Sequence, residues 1–197
     1  MSANLCLVAG LGNPGKDYAR TRHNVGFMVI DNLARQLSIP IDKKKFETEY
    51  GAVEIEGEKI LLAKPMTYMN NSGYPLMRLY RYFNMENGRV IIVHDDIDLT
   101  FGQIKIKTHG GHGGHKGIKS IIEIFGKDDF TRIRVGIGHP GDKNGVVDHV
   151  LGKFSKDETE VLEPLIVRAA EAVITVIKKG DGEAMKRFHG PSPEGIS

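Results

Sequence analysis

The chain has 197 residues, of which 40% are hydrophobic, so it can build one domain with a hydrophobic core. Its net charge of +2 does not by itself indicate a nucleic-acid partner. The single cysteine, Cys6, excludes an intramolecular disulfide and favours a reducing, cytoplasmic location. The sequence shows no signal peptide and no apolar run near the roughly 18 residues that a membrane span requires.

Apolar patterns predict strands that alternate with helices. The predicted strands are 5–9, 51–55, 59–63, 90–94, 103–107 and 132–136; the predicted helices are about 24–37, a stretch ending at 82, about 116–125 and 156–179, followed by a short basic segment at 183–189. Strands 5–9 and 90–94 are almost continuously apolar, which indicates burial on both faces. Asn24 is a candidate N-cap of the first helix.

This alternation predicts an α/β fold, with a twisted, mixed, largely parallel central sheet flanked by helices. We expect residues 1–190 to form a single domain and residues 191–197 a flexible tail. In such sheets the site lies beyond the carboxyl ends of the strands, which selects the segments after Ala9, Val93 and Gly136.

The first of these segments is rich in glycine. Gly10, Gly12 and Gly15 meet the Gly-x-Gly-x-x-Gly spacing, but a dinucleotide motif needs a helix within the glycines, and here the helical pattern begins only near Asn24. We expect these glycines to permit positive φ angles and the close approach of a ligand.

His23 and Asp95 are the candidate catalytic pair. An imidazole is the usual general base near neutral pH, and a carboxylate can orient it. Cys6 lies within a strand and no Gly-x-Ser-x-Gly motif occurs, so a hydrolase of this sequence would use water as its nucleophile. The alternative is that His23 merely precedes a helix and Asp95 merely ends a strand.

Asn13 and Asn70 are candidate substrate ligands, because an amide can both donate and accept hydrogen bonds. Both lie among turn residues, so a purely local role in a turn or cap remains an alternative.

Residues 99–122 contain no acidic side chain, although they hold four lysines, three histidines and a glycine-rich loop before a helix. Such a loop exposes backbone N–H groups and predicts an anion site, to which Arg132 and Arg134 could add. The basic face fits a phosphate backbone; an ordinary solvated face is the alternative. His109, His112 and His115 invite a metal site, but glycines separate them and no neighbouring ligand completes the set, so we expect no metal.

Longer motifs resemble those of the bacterial-type peptidyl-tRNA hydrolases. They are Gly10-Leu-Gly-Asn-Pro-Gly15, Tyr18, Thr21-Arg-His-Asn24, Pro65-Met-Thr-Tyr-Met-Asn70 with Ser72-Gly73, His94-Asp-Asp-Ile-Asp-Leu99, the Gly-Gly-His-x-Gly pattern within 110–117, Arg132-Ile-Arg-Val-Gly-Ile-Gly-His-Pro-Gly141 and Val150-Leu-Gly-Lys-Phe154. The resemblance extends from residue 5 to about 189, and the motifs occur in order.

The resemblance implies a monomeric cytoplasmic esterase, without metal or cofactor, that hydrolyses peptidyl-tRNA released from ribosomes and recycles the tRNA. It implies that His23 is the catalytic base and Asp95 its partner. The remaining implied assignments are substrate binding by Asn13, Tyr18, Tyr68, Asn70 and Lys116, and binding of the tRNA 5′ phosphate by Lys107 and Arg134.

Lys116 departs from the family pattern, in which asparagine is usual at this position. An ammonium group donates hydrogen bonds but accepts none, so we expect contact with a tRNA phosphate or the 3′ end in place of positioning water. Two other functions stay open: an RNA-binding protein without hydrolysis, and a small-molecule esterase, which would leave the acid-free basic stretch unexplained.

Overall fold

The computed structural model describes residues 5–85, 88–141 and 145–189. The tail predicted at 191–197 lies outside the described residues. None of the helices within the described ranges is long and apolar enough to cross a membrane.

The described residues form one seven-stranded sheet. Its strands are β1 (Leu5–Gly10), β2 (Lys43–Lys45), β3 (Thr48–Ile55), β4 (Glu58–Pro65), β5 (Arg89–Asp96), β6 (Ile104–Lys107) and β7 (Thr131–Gly136), in the spatial order β2-β3-β4-β1-β5-β7-β6. The central strands β4, β1, β5 and β7 are parallel. Antiparallel pairing adds β3 and β2 at one edge and β6 at the other. The predicted mixed, largely parallel sheet is confirmed.

Helices cover both faces of this sheet. They are α1 (Val25–Gln36), α2 (Gly73–Tyr82), α3 (Lys116–Phe125), α4 (Val146–Leu151), α5 (Lys156–Lys179) and α6 (Asp181–Phe188). Cys6 and Val8 of β1 pack in a cluster with α1, α5 and α6, whereas Leu7 and Ala9 pack in a second cluster with α2 and α3. Successive strand side chains point to opposite faces, which explains the continuous apolar run of β1.

Three elements differ from the sequence predictions. The strand β2 consists of three lysines without apolar alternation, and it forms because it pairs with β3 at the edge of the sheet, where lysines discourage further strand pairing. The helix α4 was not predicted. The segment predicted only as basic is the helix α6, which is held by burial of Ala184 and Phe188.

Gly10 and Gly12 are required by close packing within the fold, and neither has the positive φ that the sequence led us to expect. A Cβ atom on Gly10 would lie 2.1 Å from the carbonyl oxygen of Gly26, and one on Gly12 would lie 2.7 Å from Cγ of Phe27. Of the three glycines, Gly15 alone has a positive φ, of 108°. The first two glycines therefore allow the end of β1 to pack directly against α1.

We predict that Gly10→Ala lowers the free energy of unfolding by about 3 kcal/mol, because backbone atoms of α1 would have to move away from the new methyl group. Gly182→Ala is the matched control: a Cβ there has no atom within 4 Å, and alanine favours the helix by about 0.5–1 kcal/mol. Urea unfolding measures both variants. Equal stability of Gly10→Ala and the unmodified chain would contradict this account of the packing.

Candidate functional site

A cavity of about 430 Å³ opens where β1, β4 and β5 end. It is lined by all nine residues that the family resemblance assigns to catalysis or binding: Asn13, Tyr18, His23, Tyr68, Asn70, Asp95, Lys107, Lys116 and Arg134. We expected the segment after Gly136 to contribute to the site. This prediction is wrong for the described part of that segment, 137–141, which does not line the cavity. A wall formed by Val146, Val147, Val150 and Leu151 of α4 takes that place.

His23 lies in a 3₁₀ turn, Arg22–Asn24, that precedes α1. Its Nδ1 is 2.8 and 2.9 Å from the two carboxylate oxygens of Asp95, at the end of β5. A carboxylate accepts hydrogen bonds only, so Nδ1–H donates and Nε2 keeps its lone pair. This tautomer gives the ring the proton-accepting atom that a general base requires.

A second imidazole, that of His115, binds the same carboxylate. Its Nε2 lies 2.9 Å from Oδ1 of Asp95, and its Nδ1 accepts hydrogen bonds from the backbone N–H groups of Gly117 and Ile118. Because Nδ1 accepts, the proton is on Nε2, which donates to Asp95. The sequence analysis considered His115 only as a metal ligand. Its place directly before a helix was the available signal that it caps α3.

This capping changes the expected anion site. Two N–H groups of the first turn of α3 bind His115 and are not available to a phosphate. The expectation for Arg132 is also wrong: its guanidinium is buried and donates to the carbonyl oxygens of Gly110 and Gly111. Arg132 therefore supports the glycine-rich loop from beneath.

Asp95 remains ionised although it is only 2% exposed. Burial alone would raise the pKa of this carboxyl, but the nearby His23 and His115, through charge and hydrogen bonding, outweigh burial and hold the pKa well below its usual range. The site therefore contains a fixed negative charge that can stabilise an imidazolium on His23.

His94 packs beneath this pair as a neutral ring. Its Nδ1–H donates to the backbone carbonyl of Asp95 at 2.7 Å, and its ring centre is 4.7 Å from that of His115. Burial, together with the neighbouring His115, lowers the pKa of His94 to about 3. Within the described residues its Nε2 has no hydrogen-bond partner, so no acceptor binds a proton on this nitrogen.

Asn13 is held by the side chain of Asn24. The Oδ1 of Asn24 accepts from the backbone N–H of Asn13, and its Nδ2 donates to the carbonyl oxygen of Asn13, both at 2.9 Å. The Asn24 side chain does not make the predicted N-cap hydrogen bond to α1, because it is bonded to the backbone of Asn13 instead. The Oδ1 of Asn13 accepts from Met69 N–H at 2.8 Å. The amide NH₂ of Asn13 is thus its remaining polar group, and it is a donor.

The ligand atoms of His23, Asp95 and His115 lie within 4.8 Å of one another, as in a metal site. Their hydrogen bonding does not suit a metal, however. A metal on Nε2 of His115 would leave the proton on Nδ1, facing the two backbone N–H groups that Nδ1 now accepts. His112, another histidine considered as a metal ligand, uses its Nδ1 to accept a hydrogen bond from the backbone N–H of Gly114.

The cationic residues of the cavity are not equivalent. The Nε of Arg134 donates to Asp96 at 2.6 Å, so this guanidinium is already partly neutralised. Lys116 is exposed at the start of α3, and Lys107 is half-buried beside Gly110. The rings of Tyr18 and Tyr68, which also line the cavity, meet edge to face with their centres 6.5 Å apart, and Tyr68 is 60% exposed.

Known proteins resemble this chain over nearly its whole length. The family model described as peptidyl-tRNA hydrolase matches residues 7–195. A peptidyl-tRNA hydrolase of Caldanaerobacter subterraneus is 47% identical over 184 residues, covering 93% of this chain and 99% of the relative. One from Clostridium novyi is 46% identical, covering 93% and 97%. The crystal structure of peptidyl-tRNA hydrolase from Acinetobacter baumannii superposes with a TM-score of 0.86 at 37% identity, covering 96% of this chain and 98% of that one.

We predict that the free energy of unfolding falls as the pH is lowered from about 6.5 towards 3, partly because of His94. Its pKa is near 6.5 when unfolded and about 3 when folded, so the unfolded chain binds more protons within that window. His94→Asn, which retains a donor for the carbonyl of Asp95, should reduce the slope by at most about 1.4 kcal/mol per pH unit.

Denaturant unfolding at several pH values measures this slope, with the exposed His139→Asn as the control. A slope unchanged by His94→Asn would mean that His94 is not held neutral in the folded protein.

Proposed function

This chain belongs to the peptidyl-tRNA hydrolase family, and we propose that it hydrolyses the ester between peptide and tRNA with water activated by His23. The observation that carries this proposal is the buried Asp95 carboxylate, which holds the His23 ring with its Nε2 free to accept a proton, in a wall of the cavity. Substrates would be peptidyl-tRNAs released from stalled ribosomes, so that the reaction recycles tRNA. We further propose that the protein acts in the cytoplasm as a monomer, without metal or cofactor.

In the proposed reaction, water adds to the ester carbonyl carbon while its proton passes to Nε2 of His23. Asp95 stabilises the resulting imidazolium. The tetrahedral intermediate then collapses, the bond to the ribose oxygen breaks, and the proton on Nε2 passes to that oxygen. The products are the free peptide acid and tRNA with an intact ribose hydroxyl.

Water fits as the nucleophile because no thiol is suited to this role in the described residues. Cys6 is fully buried within β1, and burial raises the pKa of its thiol to about 12. A general base typically contributes about 10²–10⁴-fold to the rate.

Asn13 is suited to stabilise the developing oxyanion. Its carbonyl oxygen already accepts from Met69, so its amide N–H groups are left for the substrate. Asn24 holds the backbone of Asn13 in place before substrate arrives. A preorganised donor of this kind typically contributes about 10²–10³-fold. Asn70 exposes a second amide to the same cavity.

The tRNA end would lie across the cationic and aromatic parts of the cavity. We propose that Lys107 and Arg134 bind the 5′ phosphate, with Arg134 shared between that phosphate and Asp96. Tyr68, which is 60% exposed beside Tyr18, offers a ring on which the terminal base can stack. Lys116 would bind a phosphate near the 3′ end.

We predict that His23→Ala lowers kcat at least about 10³-fold and leaves tRNA affinity within about twofold, because the ring is the base but not a phosphate ligand. The measurements are hydrolysis of purified peptidyl-tRNA and binding of uncharged tRNA. His139→Ala, which removes an exposed imidazole outside the cavity lining, is the control. Near-normal turnover by His23→Ala would overturn the mechanism, and an unmodified chain that binds tRNA without turnover would favour an RNA-binding protein.

We predict that Lys107→Ala raises KM several-fold for substrates with a 5′ phosphate, with little change in kcat, because one charge-assisted contact is lost. Arg134→Ala should do the same. Dephosphorylated substrate should show no difference between these variants and the unmodified chain. Lys186→Ala, which removes an exposed lysine outside the cavity lining, controls for general charge loss. An equal KM with both substrates would place the 5′ phosphate elsewhere.

A further inference from the structure

The helix α4 forms a wall of the cavity but contributes nothing to the hydrophobic core. None of its six residues is buried, and Val147 and Leu151 are 54% and 39% exposed although they line the cavity. Apolar burial therefore contributes little to holding this wall, since only Val146 and Val150 of its apolar side chains are even half-buried. Its position depends largely on the polar contacts made by the helix and by the chain that follows it.

Arg22 supplies three polar contacts at the end of α4, beside a 3.1 Å bond between Nε2 of His149 and the carbonyl oxygen of Ile137. Its Nη1 donates to the carbonyl oxygens of Lys153 at 2.9 Å and His149 at 3.5 Å. Its backbone N–H donates to the carbonyl of Gly152 at 3.0 Å. A guanidinium suits this place, because the last carbonyls of a helix carry partial negative charge.

The same guanidinium also binds the start of α5. Its Nη2 lies 2.6 Å from Oε2 of Glu158, and the two side chains are 12% and 24% exposed. Glu158 also accepts from the backbone N–H of Ser155, which completes a capping box at the start of α5. Arg22 thus joins the end of α4 to the start of α5, and both to the turn that carries His23.

We propose that Arg22, through Glu158, is a positioning residue that holds the α4 wall at its distance from His23 and so sets the width of the cavity for substrate. This inference rests on the proposed function for its kinetic consequence. Among the described residues, the Arg22 side chain bonds neither the His23 ring nor Asp95, so its loss should affect binding far more than the chemical step. A wall released from its anchor would weaken substrate contacts that the catalytic groups do not make.

The decisive variant is Glu158→Gln, which removes the charge but retains an amide oxygen for Ser155. Loss of a charge-assisted bond corresponds to an effect of about tenfold. We therefore expect KM for peptidyl-tRNA to rise about tenfold while kcat stays within about threefold. Arg22→Lys retains the charge, but one ammonium cannot bind the α4 carbonyls and Glu158 as the branched guanidinium does, so it should raise KM at least as much. Glu163→Gln is the matched control, since its ion pair with Arg35 is exposed on both sides.

Amide hydrogen exchange of residues 146–151 tests the anchor without reference to catalysis. We expect about tenfold faster exchange in Glu158→Gln and no change in Glu163→Gln. Unchanged exchange and unchanged KM in a folded Glu158→Gln variant would each overturn the proposal, as would an equal effect of Glu163→Gln. Absence of turnover by the unmodified chain would overturn the proposed function alone, because the exchange measurement still decides whether Arg22 and Glu158 hold α4.

Discussion

The buried carboxylate of Asp95 is the constraint on which the site depends. A carboxylate at 2% exposure is stable only if charge or hydrogen bonds replace the lost water, and here two imidazole N–H groups do so. The donors come from His23, before α1, and from His115, at the start of α3. The two hydrogen bonds to the Asp95 carboxylate therefore bring β5, α1 and α3 together. They also determine the tautomer of both imidazole rings. The same geometry makes His23 suitable as a base and leaves His115 no free nitrogen for a metal.

Side-chain bonds to backbone atoms give the loops around Asp95 their shape. Asn24 pairs with both backbone polar groups of Asn13, as a neighbouring strand would, and Asn13 in turn binds the N–H of Met69. Arg132 holds the backbone of the glycine-rich loop by donating hydrogen bonds to two of its carbonyl oxygens. These bonds hold loops that lack regular secondary structure, so the groups facing the cavity are positioned before substrate binds.

The distribution of charge matters more to this protein than its net charge of +2. Some of its cations are structural: Arg132 is buried, Arg22 binds Glu158, and Arg134 is shared with Asp96. Lys107 and Lys116 line the cavity and form no ion pair with an acidic side chain of the described residues, so they are the cations best placed to meet a phosphate. The proposed contact with tRNA thus depends on a few cations at the cavity and not on a basic surface as a whole.

Local patterns in the sequence predicted the mixed, largely parallel sheet and part of the cavity lining, but neither β2 nor the α4 wall. Apolar periodicity placed α5 at 156–179 and the doubly buried strands of the central sheet, because that periodicity reflects which faces of an element are covered. The ordered motifs indicated the family. Only the tertiary structure decided how the residues are connected: that His115 shares Asp95, that Asn24 holds Asn13, and that Arg22 reaches Glu158, 136 positions away. The cavity wall α4 depends on the same kind of contact, whereas β2 forms by pairing with β3, which follows it directly in the chain. Hydrogen bonds between distant segments leave no periodic signal in the chain, since each partner is an ordinary polar residue until folding brings the two together.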